Sequence, residues 1–145
     1  MMKLKKELIT LNANPSDKTQ AMKDIAELFV DADCTTADYL SGMLVREGQE
    51  NTYLGNGVAI PHGTPEARDC IKQTAIAVMQ IPQGLEWGED GELVHLVIGI
   101  AANSDEHLQI LGKLVRILND QEQLDTLINT DDASVIQTAL SDEED

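Results

Sequence analysis

In the first third of the chain, apolar residues recur three and four positions apart, which is the spacing of one buried helix face. One helix is predicted to start at Asp17, with Ser16 as its cap. A second is predicted after Thr35 or Thr36, either of which can cap it, and Arg46 falls in its last turn. A cation at that position favours the helix because it meets the negative end of the helix dipole.

The middle of the chain carries continuous apolar runs, which are typical of strands buried on both faces. Strands are predicted at residues 58–60, 74–81 and 93–101. Residues 51–57 are polar and glycine-rich, and they are predicted to form a loop. Residues 65–68 can begin a short helix, because a proline stands at its first position.

The last third of the chain returns to helical spacing. A strongly amphipathic helix is predicted from Asp105 towards Asn119, with Ser104 as its cap. Two shorter helices are predicted at residues 122–128 and 131–140. Five apolar residues are predicted to form the buried stripe of the longest helix: Leu108, Leu111, Leu114, Val115 and Leu118.

Helices that alternate with a few short buried strands are typical of one layered α/β domain. We therefore predict a small mixed sheet flanked by helices on both faces. A chain of 145 residues is long enough to enclose one core, and no internal repeat or long linker divides it. Residues 1–145 are predicted to form a single domain, with residues 141–145 as a frayed acidic tail.

The formal net charge of −16 limits the partners that the chain can accept. Nucleic acid and anionic membranes are poor partners, because phosphate recognition needs a basic surface, whereas a basic protein is favoured. No apolar run approaches the roughly 20 residues that span a bilayer. The basic N-terminus is not followed by the apolar stretch of a secretory signal. The protein is therefore expected to be cytoplasmic, without direct insertion into a membrane.

Cysteine and histidine spacing gives no sign of a disulfide or a metal centre. Cys34 and Cys70 lie far apart and form no CxxC motif, so they are expected to be reduced, partly buried thiols. The histidines do not have the spacing of a zinc site, and the sequence has no Walker glycine loop. We expect neither a metal nor an organic cofactor.

Two of the three histidines differ clearly in their settings. His95 lies inside an apolar strand, where a structural role is expected, either on the solvent side or hydrogen-bonded in the core. His62 follows a strand, at a position where α/β sheets commonly bind ligands. Pro61 stiffens the approach to it, and Gly63 lets a partner come close. The same tripeptide would also suit a simple polar turn.

The third histidine, His107, falls in the first turn of the longest predicted helix. Free backbone N–H groups and the positive end of the helix dipole form an anion site there, although the position would also suit an ordinary surface residue. The dipole disfavours an imidazolium ion, so a neutral ring is expected. Two histidines and one arginine can transfer a phosphoryl group without a metal. A neutral imidazole nitrogen attacks phosphorus, and positioned donors stabilise the charge on the moving group.

Three segments resemble one known family. Residues 52–64 (TYLGNGVAIPHGT) are similar to the active-site segment of the enzyme IIA components of the mannitol/fructose group. These components belong to the bacterial phosphoenolpyruvate-dependent sugar phosphotransferase system. Residues 96–109 (LVIGIAANSDEHLQ) resemble the strand-to-helix segment that holds the family's second histidine. Residues 43–47 (MLVRE) resemble the helix end that supplies its arginine, and length and element order agree over nearly the whole chain.

The resemblance implies a phosphoryl relay. The basic phosphocarrier HPr brings a phosphohistidine, and His62 accepts the group through Nε2 and passes it to a cysteine of the IIB component of a sugar permease. Arg46 steadies the phosphoryl oxygens, and His107 hydrogen-bonds the phosphoryl group or fixes the geometry. The residues around both histidines are closer to the mannitol type than to the nitrogen-related regulatory type. Residues 101–103 and 106–107 favour mannitol as the sugar.

Two other functions stay open on the sequence. A regulatory IIA-like protein of the nitrogen-related type shares the fold and the phosphorylated histidine, but it feeds no transporter and signals by its phosphorylation state. A non-catalytic binding domain that keeps the fold is the third hypothesis. No IIB or IIC segment accompanies the chain, so it is expected to act as a stand-alone IIA.

Overall fold

Within residues 4–141, the part of the chain that the computed structural model describes, five strands form one mixed sheet. The strands are β1 (Ile9–Thr10), β2 (Tyr53–Gly55), β3 (Val58–Ala59), β4 (Ala75–Glu86) and β5 (Leu93–Ala101). Their order across the sheet is β1-β4-β5-β3-β2. β1 is parallel to β4 and β3 is parallel to β5, whereas the other two neighbouring pairs are antiparallel. The predicted mixed sheet is confirmed.

In the same described part of the chain there are five α-helices and two short 3₁₀ helices. The α-helices are α1 (Lys18–Asp31), α2 (Tyr39–Gln49), α3 (Ser104–Leu118), α4 (Gln121–Asn129) and α5 (Ala133–Leu140). The 3₁₀ helices span Lys6–Leu8 and Pro65–Cys70. None of these described helices is long and apolar enough to cross a membrane.

Helices cover both faces of the sheet, as predicted. Gly99 of β5 faces α1, because a side chain at this position would collide with Ile25. Gly99 pairs with Ala77 of β4, and successive strand residues point to opposite faces. Gln80, three positions further along β4, therefore lies on the other face. Its side-chain amide donates to the Leu127 carbonyl of α4 at 3.2 Å.

Two helix caps lie one residue away from their predicted positions. Asp17, and not Ser16, caps α1, since its carboxylate accepts a hydrogen bond from the Gln20 amide at 2.8 Å. α3 begins at Ser104 itself, and the side chain of the preceding residue, Asn103, caps it. In both cases the two adjacent residues are good caps, and the sequence alone does not choose between them.

The start of α2 differs more from the prediction. The helix begins at Tyr39, after Asp38, and not directly after Thr35 or Thr36. Thr35 is buried and forms an isolated antiparallel bridge with Ile71. The Thr36 amide donates to the Cys70 carbonyl at 2.8 Å, so the backbone of both threonines is bonded to residues 70–71 and the helix begins later. The predicted place of Arg46 in the last turn of α2 is confirmed.

The buried face of α3 was predicted only in part. Leu114 and Leu118 are buried, and Leu111 is partly buried, but Leu108 is 69% exposed and Val115 is 43% exposed. Ile110 and Ile117 complete the buried face instead. Because α3 carries apolar residues on more than one side, spacing alone does not identify the side that meets the core.

Strand bounds also differ from the prediction. The expected loop at residues 51–57 contains β2, which pairs with β3 in a hairpin. Asn56 and Gly57 both have positive φ angles, of 54° and 81°, as two-residue hairpin turns require. β4 continues to Glu86, past the predicted end, because its pairing with β5 shifts register between Gln80 and Leu85 and resumes.

The predicted acidic tail lies mostly outside the described residues. Its first residue, Ser141, is described, and its hydroxyl oxygen accepts a hydrogen bond from the Leu4 amide at 3.1 Å. This hydrogen bond places Ser141 next to Leu4. Residues 142–145 fall outside the described part.

Candidate functional site

His62 stands at the end of the sheet, where β3 gives way to a loop. The backbone beyond β3 stays beside β5, since the Ile100 amide donates to the Pro61 carbonyl at 3.0 Å. His62 itself forms an isolated parallel bridge with Ile100. β5 ends one residue later and leads into α3. The sheet therefore brings His62 next to the segment that starts α3.

The imidazole of His62 has a defined orientation. Its Nδ1 lies 2.8 Å from the Ile60 carbonyl oxygen, which can only accept a hydrogen bond. Nδ1 therefore carries the proton, and Nε2 keeps a free lone pair. Burial lowers the pKa of His62, Arg46 lowers it further, and the Ile60 carbonyl and Glu47 oppose these effects. At neutral pH the ring is an uncharged nucleophile.

His107 approaches from the other side of the same space. It lies in the first turn of α3, and the centroid of its ring is 4.5 Å from that of His62, with the ring planes at 57°. Burial lowers the pKa of His107 to about 4, and the nearby His62 and Arg46 reinforce the shift. The expected neutral imidazole at this helix start is therefore what the surroundings favour at physiological pH.

Arg46 contributes a positive charge from the C-terminal turn of α2. Its Nη1 donates to the Glu50 carbonyl at 2.6 Å, and Glu50 is the C-cap of the helix. The guanidinium thus satisfies one of the free carbonyl groups at the helix end while the remaining N–H donors stay available. The charge acts on both histidines, whose pKa values it lowers.

One cavity of about 360 Å³ gathers all three predicted site residues. His62, His107 and Arg46 line it, together with the side chains of Tyr39 and Arg68. Such a cavity offers one free imidazole nitrogen as a nucleophile and several N–H donors for an anion. This combination fits the transfer of a small, doubly charged group such as phosphoryl.

Tyr39, at the start of α2, also lines the cavity, although the sequence did not indicate it as a site residue. Its buried hydroxyl donates to the Ile100 carbonyl at 2.8 Å and accepts from the Gly63 amide at 2.9 Å. Burial raises its pKa to about 12, so it stays a neutral donor. The ring also lies so close to Gly63 that a Cβ there would be 2.6 Å from Cε1. A tyrosine on a buried helix face needs a hydrogen-bond partner, and that requirement was the available signal.

Arg68 also lines the cavity, although the sequence did not indicate it as a site residue. It belongs to the 3₁₀ helix Pro65–Cys70, which follows His62 closely in the chain, and its side chain is exposed. His95, in contrast, does not line the cavity. Its Nδ1 lies 3.2 Å from the Ile81 carbonyl, in agreement with the structural role predicted for it.

Comparisons with known proteins agree with one another. A multiphosphoryl transfer protein of Haemophilus influenzae is 49% identical over 122 residues, which is 84% of this chain and 24% of that protein. The chain therefore spans about a quarter of that relative's length. A mannitol-specific phosphotransferase enzyme IIA component of Geobacillus stearothermophilus is 37% identical, with 96% of this chain and 95% of the relative covered.

A solved structure extends the similarity to three dimensions. The complex of enzyme IIAMTL and phosphorylated enzyme IIBMTL from Escherichia coli contains a chain that superposes with a TM-score of 0.91 at 33% identity. The match covers 97% of this chain and 98% of that one. The family model described as "Phosphoenolpyruvate-dependent sugar phosphotransferase system, EIIA 2" matches residues 2–143. The chain therefore belongs to the EIIA type 2 family of the phosphoenolpyruvate-dependent sugar phosphotransferase system.

Proposed function

We propose that this chain is a phosphoryl carrier of sugar uptake and that Nε2 of His62 is the atom that carries the group. The observation that supports this most directly is the hydrogen bond between His62 Nδ1 and the Ile60 carbonyl. It fixes the proton on one nitrogen and leaves the other free to attack. The half-buried neutral ring stands beside Arg46 and His107 in one cavity, where an anion can be held.

In the first step, the phosphorus–nitrogen bond of phosphorylated HPr breaks while a new bond forms between phosphorus and His62 Nε2. The leaving imidazole of HPr keeps the electron pair of the broken bond. As His62 acquires the group, positive charge develops on its ring, and the Nδ1–H to Ile60 hydrogen bond stabilises that charge. Arg46 and His107 donate to the phosphoryl oxygens, on which negative charge is spread.

In the second step, a cysteine thiolate of the IIB component attacks the phosphorus, and His62 leaves as a neutral imidazole. The superposed Escherichia coli protein is in a complex with phosphorylated enzyme IIB, which supports a partner of this type. Mannitol is the proposed sugar, because the Geobacillus relative of nearly equal length is mannitol-specific. The site of action is the cytoplasm, where such carriers would meet HPr. The single-domain organisation of residues 1–145 is part of the same proposal.

A phosphorylation assay tests the role of His62. The chain is incubated with labelled phosphoenolpyruvate, enzyme I and HPr, and an acid-labile phosphate is expected on the wild type. His62→Ala should carry no label, whereas His95→Ala, which changes a histidine outside the cavity, should be labelled normally. An unlabelled wild type would favour a non-catalytic binding domain, and a labelled His62→Ala variant would contradict the assignment.

A second experiment separates transport from regulation. A strain that lacks its mannitol IIA is complemented with this chain, and growth on mannitol is measured. Restored growth that requires His62 supports the transport function. A regulatory protein of the nitrogen-related type would be phosphorylated on His62 in the first experiment but would not restore growth.

The negative net charge of the chain favours association with a basic phosphoryl donor such as HPr. A protein of net charge −16 attracts a basic partner through long-range electrostatics, which raises the association rate. The association rate with HPr should therefore fall steeply as salt is added, because screening shortens the range of the attraction. A rate that does not change with salt would rule out electrostatic steering.

A further inference from the structure

The guanidinium of Arg68 has no assigned role, although it lines the cavity that contains His62. Among residues 4–141, neither a hydrogen bond nor an ion pair holds its side chain, and the ion pairs found there join Lys18 to Glu47 and Lys72 to Asp33. The side chain is exposed. The sequence has 26 acidic and 10 basic residues, and an arginine that pairs with no carboxylate among residues 4–141 is available for another anion.

The backbone under Arg68 is held firmly against α2. Gly42 of α2 packs so closely on Ala67 that a side chain at Gly42 would collide with it. The Ala67 amide also donates to the Thr64 carbonyl at 3.0 Å, which starts the 3₁₀ helix. Arg46 lies on α2 and Arg68 lies on the 3₁₀ helix, so the two arginines belong to elements that pack directly on each other. Their positions around the cavity are therefore linked.

The two arginines differ in the hydrogen bonds of their side chains and in their exposure. Arg46 is anchored on the Glu50 carbonyl and lies close enough to both histidines to lower their pKa values. Arg68 is more exposed and is not anchored by a described residue. One arginine is thus pre-positioned beside the two histidines, and the other is an exposed part of the cavity lining.

We propose that Arg68 is a further catalytic residue, which binds the oxygens of the phosphoryl group while the group passes between a partner protein and His62. The role rests on the proposed function as a phosphoryl carrier. A guanidinium can donate two parallel hydrogen bonds to a phosphoryl group, so Arg68 completes a clamp with Arg46 on the equatorial oxygens. The bonds that break and form at phosphorus are those of the carrier reaction. Arg68 gives up no proton and forms no covalent bond.

The test compares Arg68→Ala with Arg116→Ala. Arg116 is an exposed arginine in the last turn of α3 that does not line the cavity, so both variants lose one positive surface charge. The kcat/KM for transfer from phosphorylated HPr is expected to fall about tenfold or more in Arg68→Ala, as for a lost hydrogen bond to a charged group. It should stay within about twofold in Arg116→Ala. Equal values for the two variants would overturn the proposal.

Binding measurements separate a phosphoryl contact from a docking contact. Affinity for unphosphorylated HPr should be the same in the wild type and in Arg68→Ala, because the proposed contact is to the phosphoryl group alone. A loss of that affinity that matches the loss of kcat/KM would show that Arg68 contacts the partner protein instead. Arg68→Lys should recover part of the rate, since lysine keeps the charge but not the paired donors.

Failure of the carrier function would be recognised independently. If the wild type is never phosphorylated on His62, the proposed function itself is wrong. If the wild type is phosphorylated and Arg68→Ala is phosphorylated equally fast, only the role of Arg68 is wrong. The exposed position of the side chain predicts an unchanged melting temperature. Measuring the melting temperature of Arg68→Ala therefore distinguishes slow transfer from misfolding.

Discussion

The two histidines of the cavity lie on different kinds of secondary structure. His62 follows a strand, and its ring is held by the carbonyl of a residue two positions earlier. His107 lies in the first turn of a helix, where burial, the nearby His62 and Arg46 oppose a positive charge and lower its pKa to about 4. The strand end thus orients one nitrogen, whereas the helix start keeps a second ring neutral.

This difference indicates a division of labour between the two rings. A nucleophile needs a free lone pair in a known place, and the fixed tautomer of His62 provides it. A ring that hydrogen-bonds a moving group must be close to it but need not become covalently modified. The 4.5 Å separation of the ring centroids allows His107 to reach a group carried on His62. Variants that change one ring at a time can test the division.

The largest effect beyond loss of His62 itself is expected for His107→Ala. The variant keeps the nucleophile but loses a donor to the phosphoryl group, so transfer should slow by a free energy on the order of 2–4 kcal/mol. That range corresponds to roughly 30- to 900-fold in rate. Rapid-quench measurement of His62 phosphorylation checks it, with His95→Ala as a control. Complete loss of phosphorylation would instead show that His107 is as essential to the transfer as His62.

Arg46→Ala is expected to have an effect of similar size, because Arg46 serves both rings. Loss of the guanidinium should slow transfer by a free energy on the order of 2–4 kcal/mol. It should also raise the pKa of both histidines, since the charge that lowers them is removed. An NMR titration of the two rings measures the second effect, with Arg116→Ala as the charge-matched control. Unchanged transfer and unchanged titration would remove Arg46 from the site.

The sequence predicted the parts of this comparison that depend on local pattern. The strand before His62, the helix that begins before His107 and the place of Arg46 in α2 all follow from apolar spacing and caps. The resemblance to a family then joined three distant segments that spacing alone could not bring together. Buried continuous strands also indicated helices on both faces of the sheet.

What escaped prediction depends on tertiary contacts or on competing local signals. The Asn56-Gly57 turn of the β2–β3 hairpin was interpreted as part of a loop, although Asn-Gly is a strong hairpin signal. The exposed Leu108 shows that an apolar helix position need not face the core. The two partners of the Tyr39 hydroxyl come from distant parts of the chain, so no local pattern contains them.

Tyr39→Phe tests whether the strand end positions His62 passively or through this hydroxyl. The change removes the acceptor of the Gly63 amide and the donor to the Ile100 carbonyl. The free energy of unfolding should fall by about 1–3 kcal/mol, because buried polar groups lose their partners. Transfer should also slow severalfold, since the peptide next to His62 is released. Urea unfolding and the transfer assay measure the two effects.

Tyr53→Phe is the matched control for that variant. The Tyr53 hydroxyl accepts one long hydrogen bond, of 3.4 Å, from the Gly57 amide, and the residue does not line the cavity. Its loss should cost less than about 1 kcal/mol and leave transfer unchanged. If the two variants were equally stable and equally active, the Tyr39 hydroxyl would have no role in positioning His62.

The smallest effect concerns the pH dependence of stability, which distinguishes the helix start from the strand end in the absence of any partner. In the unfolded chain His107 takes up a proton near pH 6.5, whereas in the folded chain it does so only near pH 4. Between these values the unfolded state binds more protons, so the free energy of unfolding falls as the pH drops. The contribution of His107 is fully present above about pH 6.5, and its loss is complete below about pH 4. Because the ring is partly exposed and screened by solvent, the loss should be on the order of 1 kcal/mol.

His107→Ala isolates this contribution, since the carboxylates of the chain titrate in both proteins. Urea unfolding of the wild type and the variant at about pH 7 and about pH 5 gives, for each protein, the change in the free energy of unfolding with pH. The variant should lose less stability between those values than the wild type does. If both proteins lost the same amount, His107 would titrate in the folded chain as it does in the unfolded one. The helix start would then not hold its ring neutral, and the contrast with the strand end would rest on the orientation of His62 alone.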